Sequence, residues 1–286
     1  MLHYRLGAAL TEALAAVESQ SPPPSSITVV DNGSDPGQLD GVRASHPDVA
    51  FVDAGGNHGY ATAMNLGASG CSDVEAILFL THECLLAEGA LAALVGRLED
   101  AGEVGIVGPL LGWRSRPAEV WSGGGGFGRR TGRPFHRQEP RMMADWSAEP
   151  VDVPWIDGAA MLVRIEVLRA VGGFDEGYFL YDEEVELALR ARLLGWRVEC
   201  CPAAWAWQEP GMAPPYLQTR NGLRLMARNR GLRRHLAFAL LDTSRQVASG
   251  ALQPRGSDRR REAALRAAGV RDAVLGRLDR VRAQQR

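Results

Sequence analysis

The chain has no lysine: all 32 of its basic residues are arginine. A lysine Schiff base is therefore excluded, and with it the ordinary pyridoxal-phosphate enzymes. A phosphate-binding loop that depends on its lysine is excluded too. Cysteine is scarce. The four present, Cys71, Cys84, Cys200 and Cys201, lack metal-type spacing, and a reduced, cytoplasmic protein is the simple expectation. No stretch reaches the ~20 apolar residues that span a bilayer. No apolar run preceded by positive charge opens the chain, so no secretory leader is expected. The net charge of −2 argues against wholesale nucleic-acid binding. There is no internal repeat.

What is present suffices for a large core: 286 residues can build one α/β domain with an appendage. Charge is unevenly placed. From Tyr216 onward 17 arginines stand against 5 acids, so the tail is basic and the body acidic. Periodicity predicts helices over residues 8–17, 91–98 and 165–171 and one that starts at the acids from Asp182 and stops at Gly195, strands over 27–30, 50–52, 76–80, 158–163 and 197–201, and a strand and turn over 104–109. Residues 76–80 are fully apolar, the mark of a central parallel strand. Residues 114–148, with Gly123 to Gly126 and few periodic apolar positions, predict a long loop, either a flap over a site or a tolerated insertion. After Pro215 the pattern is helical and arginine-rich, then a loop over 253–261 and a last helix over 266–282. The expected division is 1–215 for the α/β domain and 216–286 for a basic helical appendage.

One stretch concentrates chemistry: Tyr178-Phe-Leu-Tyr-Asp-Glu-Glu-Val-Glu. Asp182, Glu183, Glu184 and Glu186 fall on the first turn of a helix. There they complement the helix dipole, and Glu186 can pair with Arg190 one turn on. By itself that is a common surface pattern. Its surroundings make it more specific. A strand delivers Asp31-Asn-Gly-Ser into a turn, the way open α/β sheets form ligand crevices, although an Asx turn has the same composition. Asn57-His-Gly-Tyr60 opens a helix bearing Asn65 and Gly67, and its glycines let backbone approach a diphosphate. Asp157-Gly-Ala-Ala and Val171-Gly-Gly-Phe-Asp precede the acids, and Gly195-Trp-Arg-Val follows.

With these motifs the sequence resembles the inverting glycosyltransferases of family 2, in particular the bacterial rhamnosyltransferase-like branch, over roughly residues 4–235. The resemblance implies a GT-A type fold: one α/β domain with a central, mostly parallel sheet flanked by helices, plus a helical C-terminal appendage. It implies transfer of a sugar from a nucleotide-diphosphate donor, a dTDP- or UDP-sugar, to an acceptor hydroxyl with inversion. Glu184 matches the second acid of the family's acid pair and is the expected general base, with Glu183 as the substitute. Asp31, Asn32, Gly33, Asn57, Gly59, Tyr60, Asn65 and Glu83 match the donor side, and Trp155 and Asp157 the acceptor side.

The family's divalent cation, Mg²⁺ or Mn²⁺, would here have Glu83 and Gln208 as ligands, but two departures weaken it. Thr81 stands where an upstream acid is usual, and Gln208 where a histidine is usual. Transfer is thus expected to lose little in chelator. Arg129 or Arg228 are candidates, on charge alone, to neutralise the diphosphate instead. Expected partners are the donor and a glycan, lipid-linked or small-molecule acceptor; the basic tail allows peripheral contact with a membrane's inner face, and a homodimer is allowed. The rival readings are a catalytically weak nucleotide-sugar binder, favoured by the altered metal positions, and a nucleotide-dependent oxidoreductase. No Gly-x-Gly-x-x-Gly follows the first long strand, which counts against the second rival. Family members open with an apolar strand ending in a Thr-Tyr-Arg-like segment. Here Tyr4-Arg5 follows Met1 to His3 directly, so that strand is expected short or missing, with a central sheet edge left unpaired.

Overall fold

The structure, a computed structural model, describes residues 1–5, 7–35, 37–71, 73–211 and 213–277. In chain order they form β1 (Leu2–His3), α1 (Gly7–Glu18), β2 (Thr28–Asp31), α2 (Asp40–Ser45), β3 (Ala50–Asp53), α3 (Tyr60–Ser69), β4 (Ala76–Leu80), β5 (Leu85–Leu86) and α4 (Ala90–Asp100). Then come β6 (Val104–Trp113), β7 (Val120–Ser122), β8 (Gly125–Phe127), β9 (Pro134–His136), β10 (Val151–Asp152), β11 (Ala160–Arg164), α5 (Ile165–Val171), α6 (Glu183–Leu193), β12 (Arg197–Gln208), α7 (Pro215–Arg228), α8 (Leu236–Ala251) and α9 (Asp258–Val274). The last helix thus starts earlier than expected, inside the predicted 253–261 loop. The predicted stretch beyond residue 277 lies outside the described residues.

The α/β architecture is the expected one, but the central sheet is mixed. A seven-stranded sheet runs β10-β12-β6-β11-β4, with β5 added on β12 and β7 on β6. Within it only β6 and β12 run parallel; β4, expected parallel, pairs antiparallel with β11 along its whole length. A second sheet, β1-β2-β3, is parallel throughout. The two meet where Leu2 bridges Thr81, just past β4. The first strand is short, as expected. At Leu2 it is nonetheless bonded on both sides, to β2 and to the end of β4.

Two segments carry more strand than their composition suggested. β6 continues past Pro109, and β12 past Pro202, to pair out to Gln208 and Trp113. A bulge between Cys201 and Trp205 takes Pro202 out of the ladder, where its missing N–H does no harm. The expected 114–148 loop is a packed layer: β7 pairs with β6, and β8 with β9. Its glycine run is a socket for rings. A Cβ at Gly123 would lie 2.1 Å from Trp146, and one at Gly125 1.8 Å from Trp155. Nothing about those contacts suits a mobile flap.

Helices cover the sheet through regular apolar faces. Leu91, Leu94 and Leu98 of α4 are buried at helical spacing. In α7 the inward face carries Tyr216, Leu217, Leu223 and Met226, with proline in its first turn. Leu223, Leu225 and Met226 join the same core as Tyr60, Phe79 and Val185. Arg224 and Arg228 both bond Asp175, at 2.8 and 3.0 Å. Arg220 and Arg224 of α7 are therefore packing residues, and the exposed basic groups are Arg228 at its end and, beyond it, Arg230, Arg233 and Arg234.

Glu199 on β12 is buried between two arginines, 2.7 Å from Arg97 of α4 and 2.6 Å from Arg197. Removing the acid leaves two cations at a sheet-helix seam, although both reach water in part. Glu199→Ala is expected to cost about 2 kcal/mol. Calorimetry should show Tm falling by about 4–8 °C; an unchanged Tm would mean the arginines resolvate freely.

Candidate active site

Two loops meet at the C-terminal ends of β2 and β3. Asp31 accepts a bond from the Ser34 N–H at 2.9 Å, closing the turn on itself. Asn32 reaches across it: its amide donates to Asn57 Oδ1 at 3.1 Å and its oxygen accepts from the His58 N–H at 2.9 Å. Gly33 has φ +102°, and a Cβ there would sit 2.8 Å from Asn57 N. Asp31, Asn32, Gly33, Asn57 and Gly59 are thus one assembly, with glycine where the two backbones touch.

That assembly is joined to the acid helix. The Tyr60 N–H donates to Phe179 O at 2.7 Å, and a Cβ at Gly59 would be 2.0 Å from the same oxygen. The Tyr60 hydroxyl donates to Gly158 O at 2.6 Å, fixing the segment that carries Asp157. Asn65 lies apart from the loop tips. Its side chain clamps Phe174, accepting from its N–H and donating to its C=O, both at 2.9 Å. This ties α3 to the approach to α6.

Before α6 the backbone takes an uncommon path. Tyr181 and Asp182 have φ of 71° and 69°, a region that costs a side-chain-bearing residue about 1–3 kcal/mol. The fully buried Asn221 of α7 compensates: its amide donates to Leu180 O and Tyr181 O at 2.9 and 2.7 Å. The turn delivers Glu183 inward and Glu184 to a cavity of about 200 Å³. Arg133, His136, Trp155, Tyr181 and Asp182 also line that cavity. Asp157 stands behind His136, 3.6 Å from its Nδ1, and His136 stacks edge-on with Trp155.

Four carboxyl groups share this region, and each is pushed toward its neutral form. Burial raises Asp157, and raises Asp182 to about 7. Burial, then repulsion from Asp182 and Asp157, raises Glu183 to about 8. For Glu184 burial acts first, followed by Glu183, Asp157 and Asp182, and its basicity rises well above the ordinary range. Acids so placed cannot all ionise together. Glu183 Oε2 is buried with no partner among the described residues. Glu186 does what the surface reading expected, pairing with Arg190 at 2.6 Å.

At the end of β4, Glu83 is half-buried, and its charge, with those of Glu183 and Glu184, raises the Tyr181 phenol after burial has done so. His82 turns inward, its Nδ1 3.1 Å from Leu2 O. The β5–β12 register brings Trp207 opposite Leu85, two residues past Glu83. Gln208 Oε1 and Thr81 Oγ1 are buried without partners among the described residues. Among those residues no group of three or more His, Cys, Asp and Glu gathers to hold an ion. Of the arginines proposed for charge neutralisation, Arg228 is bound to Asp175 and Arg129 lies in an exposed turn; Arg133, which the sequence did not single out, lines the cavity.

A fold with a loop assembly at one sheet end and an acid helix beside it invites comparison with known proteins. The glycosyltransferase like family 2 matches over residues 3–231. The chain belongs to that family. The N-acetylglucosaminyl-diphospho-decaprenol L-rhamnosyltransferase of Mycobacterium tuberculosis is 28% identical over 223 residues, which are 70% of this chain and 72% of the relative. Among solved structures, the mannosyltransferase PcManGT from Pyrobaculum calidifontis, in complex with GDP-Man and Mn²⁺, superposes with a TM-score of 0.60 at 16% identity. That match covers 96% of this chain and 86% of the other. GalNAc-T7 with UDP, GalNAc and Mn²⁺ gives a TM-score of 0.64 at 14% identity over 94% of this chain, which spans about half (53%) of that one. These likenesses establish the GT-A type of fold for this family 2 glycosyltransferase.

The sign of the Glu183 shift makes a stability test. Its folded-state value, about 8, exceeds the ordinary 4.5. The stability it contributes is therefore present below pH 4.5 and lost as pH rises through 8. Glu183→Gln removes that dependence. In thermal melts from pH 5 to pH 9 the variant should gain on the parent as pH rises; parallel curves would show that Glu183 keeps an ordinary acidity.

Proposed function

We propose that the chain transfers a sugar from a nucleotide-diphosphate donor to an acceptor hydroxyl with inversion, Glu184 acting as general base. The observation that carries this is the Glu184 carboxylate on the first turn of α6, lining the cavity with its basicity raised by burial and by three neighbouring acids. A base is most effective with its pKa near working pH, and such crowding moves a carboxylate that way. The acceptor oxygen attacks the anomeric carbon from the face opposite the diphosphate. Its proton passes to Glu184 while the carbon–oxygen bond to the diphosphate breaks and its electron pair leaves with the phosphate. The loop assembly of Asp31 to Gly33 and Asn57 to Tyr60 takes the donor, and Trp155, with Asp157 behind it, borders the acceptor.

A divalent cation would supply charge neutralisation for the leaving diphosphate. The Glu83 carboxylate and the partnerless Gln208 oxygen are hard donors of the kind Mg²⁺ and Mn²⁺ take. With no group of three or more His, Cys, Asp and Glu gathered among the described residues, they suit an ion that arrives on the donor's phosphates. The names of the solved relatives, bound to Mn²⁺ with UDP or GDP-Man, support this reading.

In the variant series Glu184→Gln should keep shape and lose proton acceptance, lowering kcat by about 10²–10⁴ with donor Kd little changed. Glu186→Gln should leave turnover near normal. Steady-state kinetics and donor titration decide it, and near-normal turnover in Glu184→Gln would sink the assignment.

The mycobacterial relative is named for a diphospho-decaprenol-linked acceptor, and a lipid-linked acceptor is the class we favour here. The outward face of α8 suits it. Phe238, Leu241 and Leu252 are exposed there, with Arg234 and Arg245 on the same stripe and no acid among them. Apolar residues flanked by arginine fit an anionic bilayer surface. Flotation with acidic vesicles should recover the protein at low salt and lose it as salt rises. Phe238→Ser with Leu241→Ser should weaken recovery. Failure to float at any salt would remove the membrane from the proposal.

A further inference from the structure

His136 lines the same cavity as Glu184 and has no part yet in the chemistry. Its backbone is fixed by the hairpin. His136 pairs with Gly125 in the β8–β9 ladder, and the Gly125 N–H donates to Trp155 O at 2.9 Å. Its ring is fixed by two indoles, with centroids 4.5 Å from Trp121 and 5.0 Å from Trp155.

The neighbours of the ring also decide where its proton sits. Nδ1 lies 3.2 Å from Ser122 Oγ. That hydroxyl donates to Gly124 O at 3.4 Å, so toward the imidazole it offers a lone pair. Asp157 Oδ2 stands 3.6 Å from the same nitrogen, beyond a hydrogen bond but close enough to favour a proton there. Both neighbours therefore place the proton on Nδ1, and Nε2 carries the lone pair. Burial lowers the basicity of the ring, with Asp157 partly opposing, so the lone pair is kept at neutral pH. Nε2 has no partner among the described residues, on a side chain 34% exposed. Phenylalanine would fill a packing role between two indoles without leaving an acceptor idle.

The base is close by. A Cβ at Gly158 would lie 3.5 Å from Glu184 Cβ. The Asp157-Gly158 step thus borders the imidazole at one residue and Glu184 at the next.

We propose that His136 Nε2 accepts a hydrogen bond from one hydroxyl of a sugar-bearing acceptor and so presents a neighbouring hydroxyl to Glu184. His136 takes no proton in the reaction. Ser122 and Asp157 are positioning residues that act through its ring. The role rests on the proposed transfer for the nature of its ligand, and adds to it the group that reads the acceptor. The acceptor class is thereby narrowed to polyols, with at least two hydroxyls close together. A simple alcohol would satisfy either Nε2 or Glu184, not both.

The test uses the full chain labelled with ¹⁵N-histidine. The probes are methyl glycopyranosides of common hexoses, with propanol as the single-hydroxyl control. Each is titrated to about 0.1 M, the range in which small polar fragments bind. Long-range ¹H–¹⁵N spectra read the tautomer, and the signals lost in His136→Gln assign the ring. Nε2 is expected to be unprotonated, and to shift with at least one glycoside but not with propanol. Saturation-transfer titrations then give the Kd of that glycoside. His136→Phe should weaken it about three- to tenfold, the scale of one hydrogen bond. His136→Gln, whose amide oxygen accepts, should recover part of the loss. If a variant fails to fold, the spectra of the parent decide alone. A proton on Nε2, a signal that no glycoside moves or that propanol moves equally, or equal binding by parent and His136→Phe overturns the inference. Glycosides that shift Nε2 in a chain turning over no dTDP- or UDP-sugar would remove the transfer reading and leave a sugar site. Turnover with a silent Nε2 would do the reverse.

Discussion

Tyr181 and Asp182 hold left-handed backbone angles, and Asn221 clamps them by bonding the two carbonyls just before and at the turn. The rest of the site depends on that clamp. The turn rotates the start of α6 so that successive acids part company, Glu183 going into the protein and Glu184 to the cavity. A regular entry to the helix would send the pair elsewhere. Asn221 is itself held by its helix: α7 is packed into the main core through Leu223 and Met226, and Arg220 donates to Gly177 O just before the aromatic run. The basic C-terminal region therefore shapes the acid cluster from behind.

Desolvation then sets the chemistry. Asp157, Asp182, Glu183 and Glu184 come from two segments brought together by Tyr60, whose backbone bonds Phe179 and whose hydroxyl bonds Gly158. Burial raises Asp157 and Asp182, and these two acids in turn add to the rise at Glu183 and Glu184 because the region is shielded from water. The same shielding is what a transfer reaction needs, since water competing for the donor would hydrolyse it. His136 stands among these acids with its own basicity lowered by burial, Asp157 partly opposing. It is thus mostly neutral at pH 7 and adds little positive charge to the cluster.

Much of this was legible in the residues. β4 and α5 run over the residues their apolar pattern predicted, because each is bounded by residues that stop it. The turn after β2 and the acids of α6 were recognisable by composition and by resemblance. Less legible was anything carried by packing between distant segments. The glycine run at Gly123 to Gly126 reads as a loop until Trp146 and Trp155 are seen filling it. Its neighbour His136 was missed for the same reason. β12 looked finished at Pro202, since a bulge cannot be read from one strand alone. Asn221 gave no sign at all: one amide in an arginine-rich helix has no periodicity, and its partners are carbonyls forty residues away. The mixed character of the sheet was hidden likewise, because an apolar run is the same in either direction.

The crowded carboxyl groups have a thermochemical consequence. Near neutral pH the free protein holds protons on Asp182 and Glu183, pushed up to about 7 and about 8, that ordinary aspartates and glutamates would have released. Any ligand that brings positive charge into the cavity expels some of those protons into solution, and a neutral acceptor does not. The heat of binding measured for a cation-bearing donor would therefore change with the ionisation enthalpy of the buffer. The heat of acceptor binding would not, so a calorimeter could tell which face of the site a ligand had entered.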